Sequence, residues 1–260
     1  MEKTKVVVHG ALGRVGREVV NALPKQPDME LVGAVDLKAG SSELKVADSS
    51  VPLASSLESI LESSKPDVMV DFTLAQATMP AVRLASKRGV NLVIGTTGLS
   101  IDDIGEIERL ALEHSIGAVV APNFALGAVV MIHLAKIAAK YFDWTEIVEL
   151  HHHHKLDAPS GTALQTARAM SEAKGRAFSQ PELKSAPSRG EQLEGITIHS
   201  VRLPGLLAHQ EIIFGAPGQT LTIRHDTTSR ECYIPGVILA IREVTKKKGL
   251  IYGLDKLLGL

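Results

Sequence analysis

The chain has 260 residues, 45% of them hydrophobic, and carries a formal net charge of −1. This length can bury a substantial core in two modest domains. The net charge gives no basic field for nucleic acid. The sequence contains no run of about 18 apolar residues, the length that is needed to span a bilayer. Because Cys232 is the only cysteine and the start lacks a secretion signal, we expect a cytoplasmic protein with no internal disulfide and no nucleic-acid or membrane partner.

Short apolar runs alternate with helical patterns over roughly the first 120 residues, as they do in a doubly wound parallel sheet. A strand predicted from Lys5 to His9 runs directly into a glycine turn, Gly10-Ala-Leu-Gly13-Arg14-Val15-Gly16, and a helix is predicted over Gly13 to Leu23. A second strand, Leu31 to Val35, ends in Asp36, about twenty residues beyond Gly16. Further strands are predicted at Val68 to Phe72, Asn91 to Ile94 and Gly117 to Ala121.

The strand, glycine turn and helix, followed by Asp36 at this distance, indicate dinucleotide binding. The free amides of the helix would receive the pyrophosphate, and Asp36 would accept hydrogen bonds from a ribose. The spacing is Gly-x-x-Gly-x-x-Gly rather than the commoner Gly-x-Gly-x-x-Gly. Asp36 favours NADH, but Lys38 or Arg14 could bind the 2′-phosphate of NADPH, so both cofactors remain open; a solvated strand end is the ordinary alternative for Asp36.

Three further loops follow predicted strand ends and would line one crevice, because ligands collect at the carboxyl ends of strands in open α/β sheets. The loops are Thr73, Gly95-Thr96-Thr97-Gly98 and Pro122-Asn123-Phe124. Thr96 and Thr97 could instead cap the next helix. Asn123 and Phe124 could instead form a hinge.

The pattern changes after Phe124 and predicts a second domain with a mixed or antiparallel sheet. The predicted elements are a helix over Gly127 to Tyr141, a strand over Trp144 to Leu150, a helix from about Thr162 to Lys174, a long loop from Gly175 to Glu194, and strands at Ile196 to Leu203, His209 to Phe214 and Thr220 to His225. The apolar stretch Pro235 to Val244 predicts a helix that packs back on the first domain. We therefore predict an α/β protein: a Rossmann-like domain formed by residues 1–123 with 233–260, and an α+β domain formed by residues 124–232.

The segment Glu149 to Ala163 places cationic side chains beside anion-binding backbone groups. Four histidines, His151 to His154, stand where the strand runs out, and alternation would put His151 and His153 on one side. Asp157 and Ser160 are typical of residues that cap a helix, and the free amides of Gly161 and Thr162 would then face a carboxylate, with Gly161 allowing close approach. The pattern predicts a catalytic site for a dianion, with the chemistry assigned to His151, His152 and Lys155.

Two alternatives for the histidines are weaker. His151 and His153 could bind zinc, but Lys155 would repel the ion and further ligands at suitable spacing are missing from the pattern. We therefore predict no metal site. His153 and His154 are interpreted as supporting or surface residues, and Trp144 as a core residue.

Taken together, these motifs resemble those of the dihydrodipicolinate reductase family, also called 4-hydroxy-tetrahydrodipicolinate reductases, over essentially the whole chain. The family signature, Glu-x-His-His-x-x-Lys-x-Asp-x-Pro-Ser-Gly-Thr-Ala, is matched throughout by Glu149 to Ala163. Four other segments look like the nucleotide-domain motifs of the family, in the same order: Gly10 to Gly16, Asp71 to Thr73, Gly95 to Gly98 and Ala121 to Phe124.

The resemblance implies reduction of a small cyclic dicarboxylate by NADH, NADPH or both: 4-hydroxy-tetrahydrodipicolinate, via dihydrodipicolinate, to tetrahydrodipicolinate in the diaminopimelate route to lysine. It implies that His151 is the proton donor and that Lys155 is a second donor or a carboxylate partner. It also implies three substrate ligands: His152, Gly161 and Thr162. The implied cofactor-binding residues are Gly10, Gly13, Arg14, Val15, Gly16, Asp36, Gly95, Thr96, Thr97, Ala121, Pro122, Asn123 and Phe124.

The family is usually a homotetramer whose second-domain sheets join, so the resemblance implies the same assembly, and the second domain would bind substrate and drive tetramerisation. We also expect the ligand to bridge the two domains, with closure about hinges near Asn123 and Cys232. Two departures stand out: Leu207-Ala-His209-Gln210 replaces a Gly-Glu-His pattern, and Leu37 replaces a basic residue that often follows the ribose-binding acid. The second departure weighs against strong use of NADPH. The rival interpretations are another Rossmann-type oxidoreductase of amino-acid biosynthesis or a dinucleotide-sensing regulator.

Overall fold

The computed structural model describes residues 2–179 and 187–260. The described chain separates into two compact units, Met1–Leu126 with Arg230–Leu260, and Gly127–Ser229. The class is mixed α/β, as predicted. Within the described residues, no helix has the length and apolar character needed to cross a membrane. The assignment of cofactor and substrate to different units stays a prediction.

The elements are numbered in chain order. The strands are β1 Thr4–His9, β2 Met29–Val35, β3 Glu43–Val46, β4 Ser49–Ala54, β5 Val68–Asp71, β6 Asn91–Ile94, β7 Gly117–Val120, β8 Trp144–His151, β9 Glu191–Leu193, β10 Ile196–Arg202, β11 Ala208–Ala216, β12 Gln219–Thr227 and β13 Gly249–Tyr252. The α-helices are α1 Arg14–Ala22, α2 Leu57–Ser64, α3 Ala75–Lys87, α4 Ile101–Glu113, α5 Leu126–Ala139, α6 Gly161–Lys174, α7 Ile234–Val244 and α8 Leu254–Leu258. Short 3₁₀ turns occur at Leu23–Lys25, Pro187–Arg189 and Arg230–Tyr233.

The first unit is built on an eight-stranded sheet in the order β13-β7-β6-β5-β1-β2-β4-β3. Every pairing in it is parallel except the β3–β4 hairpin. The central strands β5 and β7 are buried along their whole length, as expected for a sheet covered by helices on both faces. The carboxyl ends of β1, β5, β6 and β7 therefore meet along one edge of the sheet, which confirms the predicted doubly wound arrangement.

Several short elements of the first unit were not predicted. The β3–β4 hairpin, α2, β13 and α8 lie in segments that were assigned no structure. In β3, Glu43–Val46, exposed polar residues alternate with less exposed ones over only four residues, and its turn passes through Ala47 with a φ of 51°. So brief an alternation gives a weak signal without knowledge of its pairing partner.

The second unit is built on a five-stranded sheet in the order β12-β11-β8-β10-β9, in which only β10 and β8 are parallel. This confirms the predicted mixed sheet. Helices α5 and α6 pack against one face of it, and their buried alanines and methionines join strand residues in one core. Trp144 is 44% exposed, so its interpretation as a core residue was wrong.

Part of the predicted loop from Gly175 to Glu194, residues 180–186, lies outside the described residues. The described part contains a 3₁₀ turn at Pro187–Arg189 and strand β9, so the prediction of a long loop was wrong at its carboxyl end. Strand β9 pairs with the start of β10 through the tight turn at Glu194 and Gly195, both of which have positive φ.

Gly117 provides a test of packing at the start of β7. A Cβ added there would lie 2.0 Å from the carbonyl oxygen of Val244 and 2.5 Å from that of Lys247, both backbone atoms. We expect Gly117→Ala to reduce the free energy of unfolding by about 2 kcal/mol or more, measured by urea denaturation. The matched control is Gly105→Ala in α4, where a Cβ meets nothing within 4 Å among residues 2–179 and 187–260; it should raise stability by about 0.5–1 kcal/mol. Equal unfolding midpoints for the two variants would contradict the packing argument.

Candidate active site

The glycine turn of the first unit connects β1 to α1. Gly10 has a φ of 84°, and a Cβ added at Gly16 would lie 2.0 Å from the carbonyl oxygen of Gly10. Both positions therefore require glycine, one for its backbone angle and the other for close packing of the helix on the turn. Helix α1 begins at Arg14, with Gly13 as an N-cap that has no side chain to satisfy the first amides. The sequence prediction that these amides bind an anion stays a prediction, and the absence of a side-chain cap at Gly13 is compatible with it.

Asp36 follows β2 and holds the glycine turn as well as standing at the predicted ribose position. Its Oδ2 accepts a hydrogen bond from the backbone N–H of Leu12 at 2.9 Å, and its Oδ1 accepts one from the N–H of Lys38 at 2.9 Å. Each carboxylate oxygen keeps capacity for a second donor. Asp36 is therefore more than a solvated strand end, because it joins the end of β2 to the turn after β1.

Apart from Val15 in α1, the remaining predicted cofactor residues lie on the loops after β6 and β7. Thr96 is 5% exposed and its hydroxyl donates to the carboxylate of Asp71 at 2.9 Å, whereas Thr97 is exposed. On the next loop Phe124 is 2% exposed, and its ring meets the ring of Phe72 edge to face with centroids 5.7 Å apart. Among the other predicted residues, Val15 and Gly95 are half-buried, Ala121 is buried and Pro122 is exposed. The side-chain oxygen of Asn123 accepts a hydrogen bond from the N–H of Ala125.

The predicted catalytic histidine, His151, is the last residue of β8. Its Nδ1 lies 2.5 Å from Oε2 of Glu149, and its side chain is 15% exposed. Residues two apart on a strand share a face, so the local geometry of β8 brings this carboxylate and imidazole together. Because Glu149 engages Nδ1, Nε2 is the ring nitrogen that can donate a proton to a ligand.

Glu149 has no exposed side-chain surface, and its carboxylate is satisfied entirely by protein donors. Arg202 donates from Nη1 to Oε2 at 2.9 Å and from Nη2 to Oε1 at 2.8 Å, and the backbone N–H of Ser160 approaches Oε1 at 3.3 Å. Burial alone would raise the pKa of Glu149, but hydrogen bonds from His151, Arg202 and Ser200 outweigh it and lower the pKa to about 2. The carboxylate is therefore charged at neutral pH.

Arg202 reaches this site because β10 runs parallel to β8 with Arg202 opposite His151 in the register. Its Nη2 also donates to the backbone carbonyl of Asp157 at 2.7 Å. One guanidinium therefore connects the strand that carries the histidine with the loop that leads to α6. Neither Arg202 nor the role of Glu149 was predicted from the sequence.

The loop from His152 to Ser160 differs from its prediction in two respects. Strand β8 ends at His151 and a turn follows, so the alternation that placed His151 and His153 on one side does not continue. Asp157 does not cap α6. Instead, its two carboxylate oxygens accept hydrogen bonds from Nζ of Lys155, each at 2.7 Å.

The capping prediction for Ser160 is confirmed. Its hydroxyl accepts a hydrogen bond from the N–H of Ala163 at 3.2 Å, and α6 begins at Gly161. The amides of Gly161 and Thr162 precede the capped amide at the positive end of the helix, where an anion is favoured. A Cβ added at Gly161 meets no atom of the described residues within 4 Å, so packing against them does not require glycine there.

The other histidines occupy the surface turn. His152 donates its backbone N–H to the carbonyl of Leu207 at 3.4 Å, and the rings of His153 and His154 lie 3.8 Å apart. Among the described residues, no group of three or more His, Cys, Asp or Glu side chains is arranged to hold a metal ion. The structure thus brings His151, Glu149 and Arg202 together beside the start of α6, with Lys155 on the intervening loop.

Comparison with known proteins supports the resemblance seen in the motifs. The family model for the N-terminus of dihydrodipicolinate reductase matches residues 4–124, and the model for its C-terminus matches residues 127–258. The 4-hydroxy-tetrahydrodipicolinate reductase of Dehalococcoides mccartyi is 56% identical over the full length of both chains. That of Moorella thermoacetica is 48% identical and covers 98% of this chain and 97% of its own.

Comparison with solved structures leads to the same family. A dipicolinate-bound dihydrodipicolinate reductase from Paenisporosarcina sp. TG-14 has a TM-score of 0.87 at 40% identity and covers 98% of this chain and 99% of its own. An amine dehydrogenase from Mycobacterium smegmatis has a TM-score of 0.65 at 16% identity, which shows a shared fold alone. Together, the two family models and the full-length relatives establish that the chain belongs to the dihydrodipicolinate reductase family.

Proposed function

We propose that the chain catalyses the NADH- or NADPH-dependent reduction of 4-hydroxy-tetrahydrodipicolinate, via dihydrodipicolinate, to tetrahydrodipicolinate in the diaminopimelate route to lysine. Membership of the family and the names of its full-length relatives support this reaction. The observation that carries the mechanism is the hydrogen bond between the buried carboxylate of Glu149 and His151 at 2.5 Å. The rival interpretations, a different Rossmann-type oxidoreductase or a regulator, leave both family matches unexplained.

His151 is the proposed proton donor. Hydride transfer to one carbon of a conjugated ring leaves electron density that must be taken up as a proton by a neighbouring atom, so the reaction needs a positioned general acid. Glu149 engages Nδ1 and so orients the ring of His151, which leaves Nε2 as the atom that donates the proton. After donation, the neutral imidazole keeps its orientation through the same hydrogen bond.

The substrate is proposed to be bound through its carboxylates. Lys155, His152 and the amides of Gly161 and Thr162 are all donors on the segment between β8 and α6. A dicarboxylate suits this set because two negative charges meet a lysine and the positive end of a helix. The dipicolinate bound by the solved relative is an aromatic dicarboxylate of this class. To reach the substrate, Lys155 exchanges Asp157 for a ligand carboxylate.

The residues around the glycine turn fit a dinucleotide, because Gly10, Gly16 and the uncapped amides of α1 permit close approach of a pyrophosphate. When bound, the reduced nicotinamide supplies the hydride. Asp36 can accept hydrogen bonds from the adenine ribose, and Leu37, which is 86% exposed, offers no charge to a 2′-phosphate. These features favour NADH, while Arg14 and Lys38 keep NADPH possible.

A homotetramer is proposed for the assembly. Exposed apolar side chains on two separate parts of the second unit support association: Trp144 on β8 is 44% exposed, and Val130, Leu134 and Ile137 on α5 are 40%, 45% and 45% exposed. Light scattering on the purified protein measures the mass of the assembly directly. A cytoplasmic location remains a prediction from the sequence.

His151→Gln tests the proposed proton donor. We expect turnover to fall about 100-fold or more with a modest change in the Michaelis constant of the substrate, since general acid catalysis contributes about 10²–10⁴-fold. The assay mixes enzyme, NADH and the product of the preceding synthase and follows nicotinamide absorbance. His153→Gln, at an exposed histidine of the same turn, is the matched control and should retain activity. Full activity of His151→Gln would exclude this residue as the acid.

Lys155→Ala tests carboxylate binding. The loss of a charge-assisted hydrogen bond is worth about 1.5–3 kcal/mol, so kcat/KM should fall about tenfold or more, with both kinetic constants affected. Thr162→Val should act mainly on the Michaelis constant. Lys140→Ala, at an exposed lysine of the same unit, is the control. An unchanged Michaelis constant in Lys155→Ala would argue against contact with a carboxylate.

Glu149→Gln tests the charge of the buried carboxylate through the pH dependence of stability. A pKa lowered from 4.5 to about 2 contributes stability that is present above pH 4.5 and is lost as the pH falls towards 2. The wild type should therefore lose stability across this window, and Glu149→Gln should lose less across it while being less stable at pH 7. Urea unfolding between pH 7 and the lowest pH that keeps the fold measures the difference. Glu172→Gln, at an exposed position of α6, should follow the wild type; a parallel profile for Glu149→Gln would refute the assignment.

A further inference from the structure

Asp71, the last residue of β5, is a second carboxylate with no exposed surface, and it belongs to the first unit. Its Oδ1 accepts three hydrogen bonds, from the backbone N–H of Thr73 at 2.9 Å, the hydroxyl of Thr73 at 2.7 Å and the hydroxyl of Thr96 at 2.9 Å. Its Oδ2 faces Nδ1 of His9 at 3.4 Å. A buried charge is tolerated only when donors surround it, so these groups are held where the carboxylate needs them.

The donors come from three different segments. His9 ends β1 immediately before the glycine turn, Thr73 follows β5, and Thr96 follows β6. Thr96 also accepts a hydrogen bond from the N–H of Thr73 at 2.9 Å, which closes the network between the two loops. Asp71 therefore joins the carboxyl ends of three neighbouring strands, β1, β5 and β6.

The backbone and rings around this network are tightly packed. A Cβ added at Gly95 would lie 2.1 Å from the ring of Phe72, and one added at Gly10 would lie 2.6 Å from the carbonyl oxygen of Phe72. Phe72 in turn meets Phe124 on the loop after β7. A shift of the Thr73 or Thr96 loop is therefore passed to the glycine turn and to the Phe124 loop.

The Asp71 network and Asp36 lie on opposite sides of the glycine turn along the sheet edge. Asp36, at the end of β2, is the proposed ligand of the adenine ribose, and the glycine turn after β1 receives the pyrophosphate. Strands β5 and β6 lie on the opposite side of β1 from β2. A dinucleotide that runs from β2 across β1 thus places its nicotinamide half over the loops after β5 and β6.

We propose that Asp71 is a positioning residue for the nicotinamide half of the cofactor, and that Thr96 acts through Asp71 rather than as a cofactor ligand. The hydroxyl of Thr96 is buried and is used twice, as donor to Asp71 and as acceptor from Thr73. The exposed neighbour Thr97 and the backbone of the loop are what a cofactor meets. This inference rests on the proposed function, since it requires a nicotinamide dinucleotide.

The test compares two ligands that share the adenine half. NADH and ADP-ribose are titrated against wild type and Thr96→Val by calorimetry. Valine keeps the shape of threonine and removes both hydrogen bonds, so the Kd for NADH should rise about tenfold while the Kd for ADP-ribose stays within about twofold of wild type. Thr96→Ser restores the hydroxyl and should restore NADH binding. Asp71→Asn should shift NADH affinity in the same direction as Thr96→Val.

Thr145→Val is the matched control, because Thr145 is 6% exposed and donates its hydroxyl to the carbonyl of Ile213 at 3.0 Å in the second unit. It loses an equivalent buried hydroxyl and should bind both ligands as wild type does. Equal weakening of NADH and ADP-ribose in Thr96→Val, or unchanged NADH binding in a folded Thr96→Val, would overturn the proposal. Failure of the wild type itself to bind NADH and NADPH would instead overturn the proposed function.

Discussion

The burial of one carboxylate, that of Glu149, constrains the second unit more than any other single interaction described above. A charge without solvent must be surrounded by donors, and Glu149 draws these from His151 on its own strand, Arg202 on β10 and Ser160 at the start of α6. Removing one partner of such a buried pair costs about 3–5 kcal/mol. The strand end, the neighbouring strand and the helix are therefore held in one arrangement by the same group that orients His151, the proposed proton donor.

The first unit also contains a buried carboxylate surrounded by donors, that of Asp71. Asp71 is the last residue of β5, is also wholly buried, and collects donors from the loops after β5 and β6. In each unit a backbone amide, of Ser160 or of Thr73, is among the donors. In each unit a buried carboxylate near the carboxyl end of a strand thus joins segments that are separate in sequence.

The features that were predicted correctly are those with local signals. The glycine turn, the capping residue Ser160 and the short apolar runs of the buried strands are each contained in a few consecutive residues, and all three are present in the structure. Glu149 lies two residues before His151 on the same strand face, so its period-two spacing could have revealed the contact. Arg202 is 53 residues from Glu149 and meets it only through the register of β10 on β8, which no local pattern encodes. Asp157 was assigned to the wrong partner because Lys155, two residues away, competes with the helix amides for its carboxylate.

The exposed position of Leu37 bears on how nucleotide preference can evolve in this chain. Asp36 anchors the glycine turn through backbone amides, of Leu12 and Lys38, and the side chain of Leu37 takes no part in that anchoring. A substitution at position 37 therefore changes the surface charge beside Asp36 without disturbing the core or the turn. Under the proposed function, the choice between NADH and NADPH would be open to single replacements at this position at no cost to the folding of the first unit.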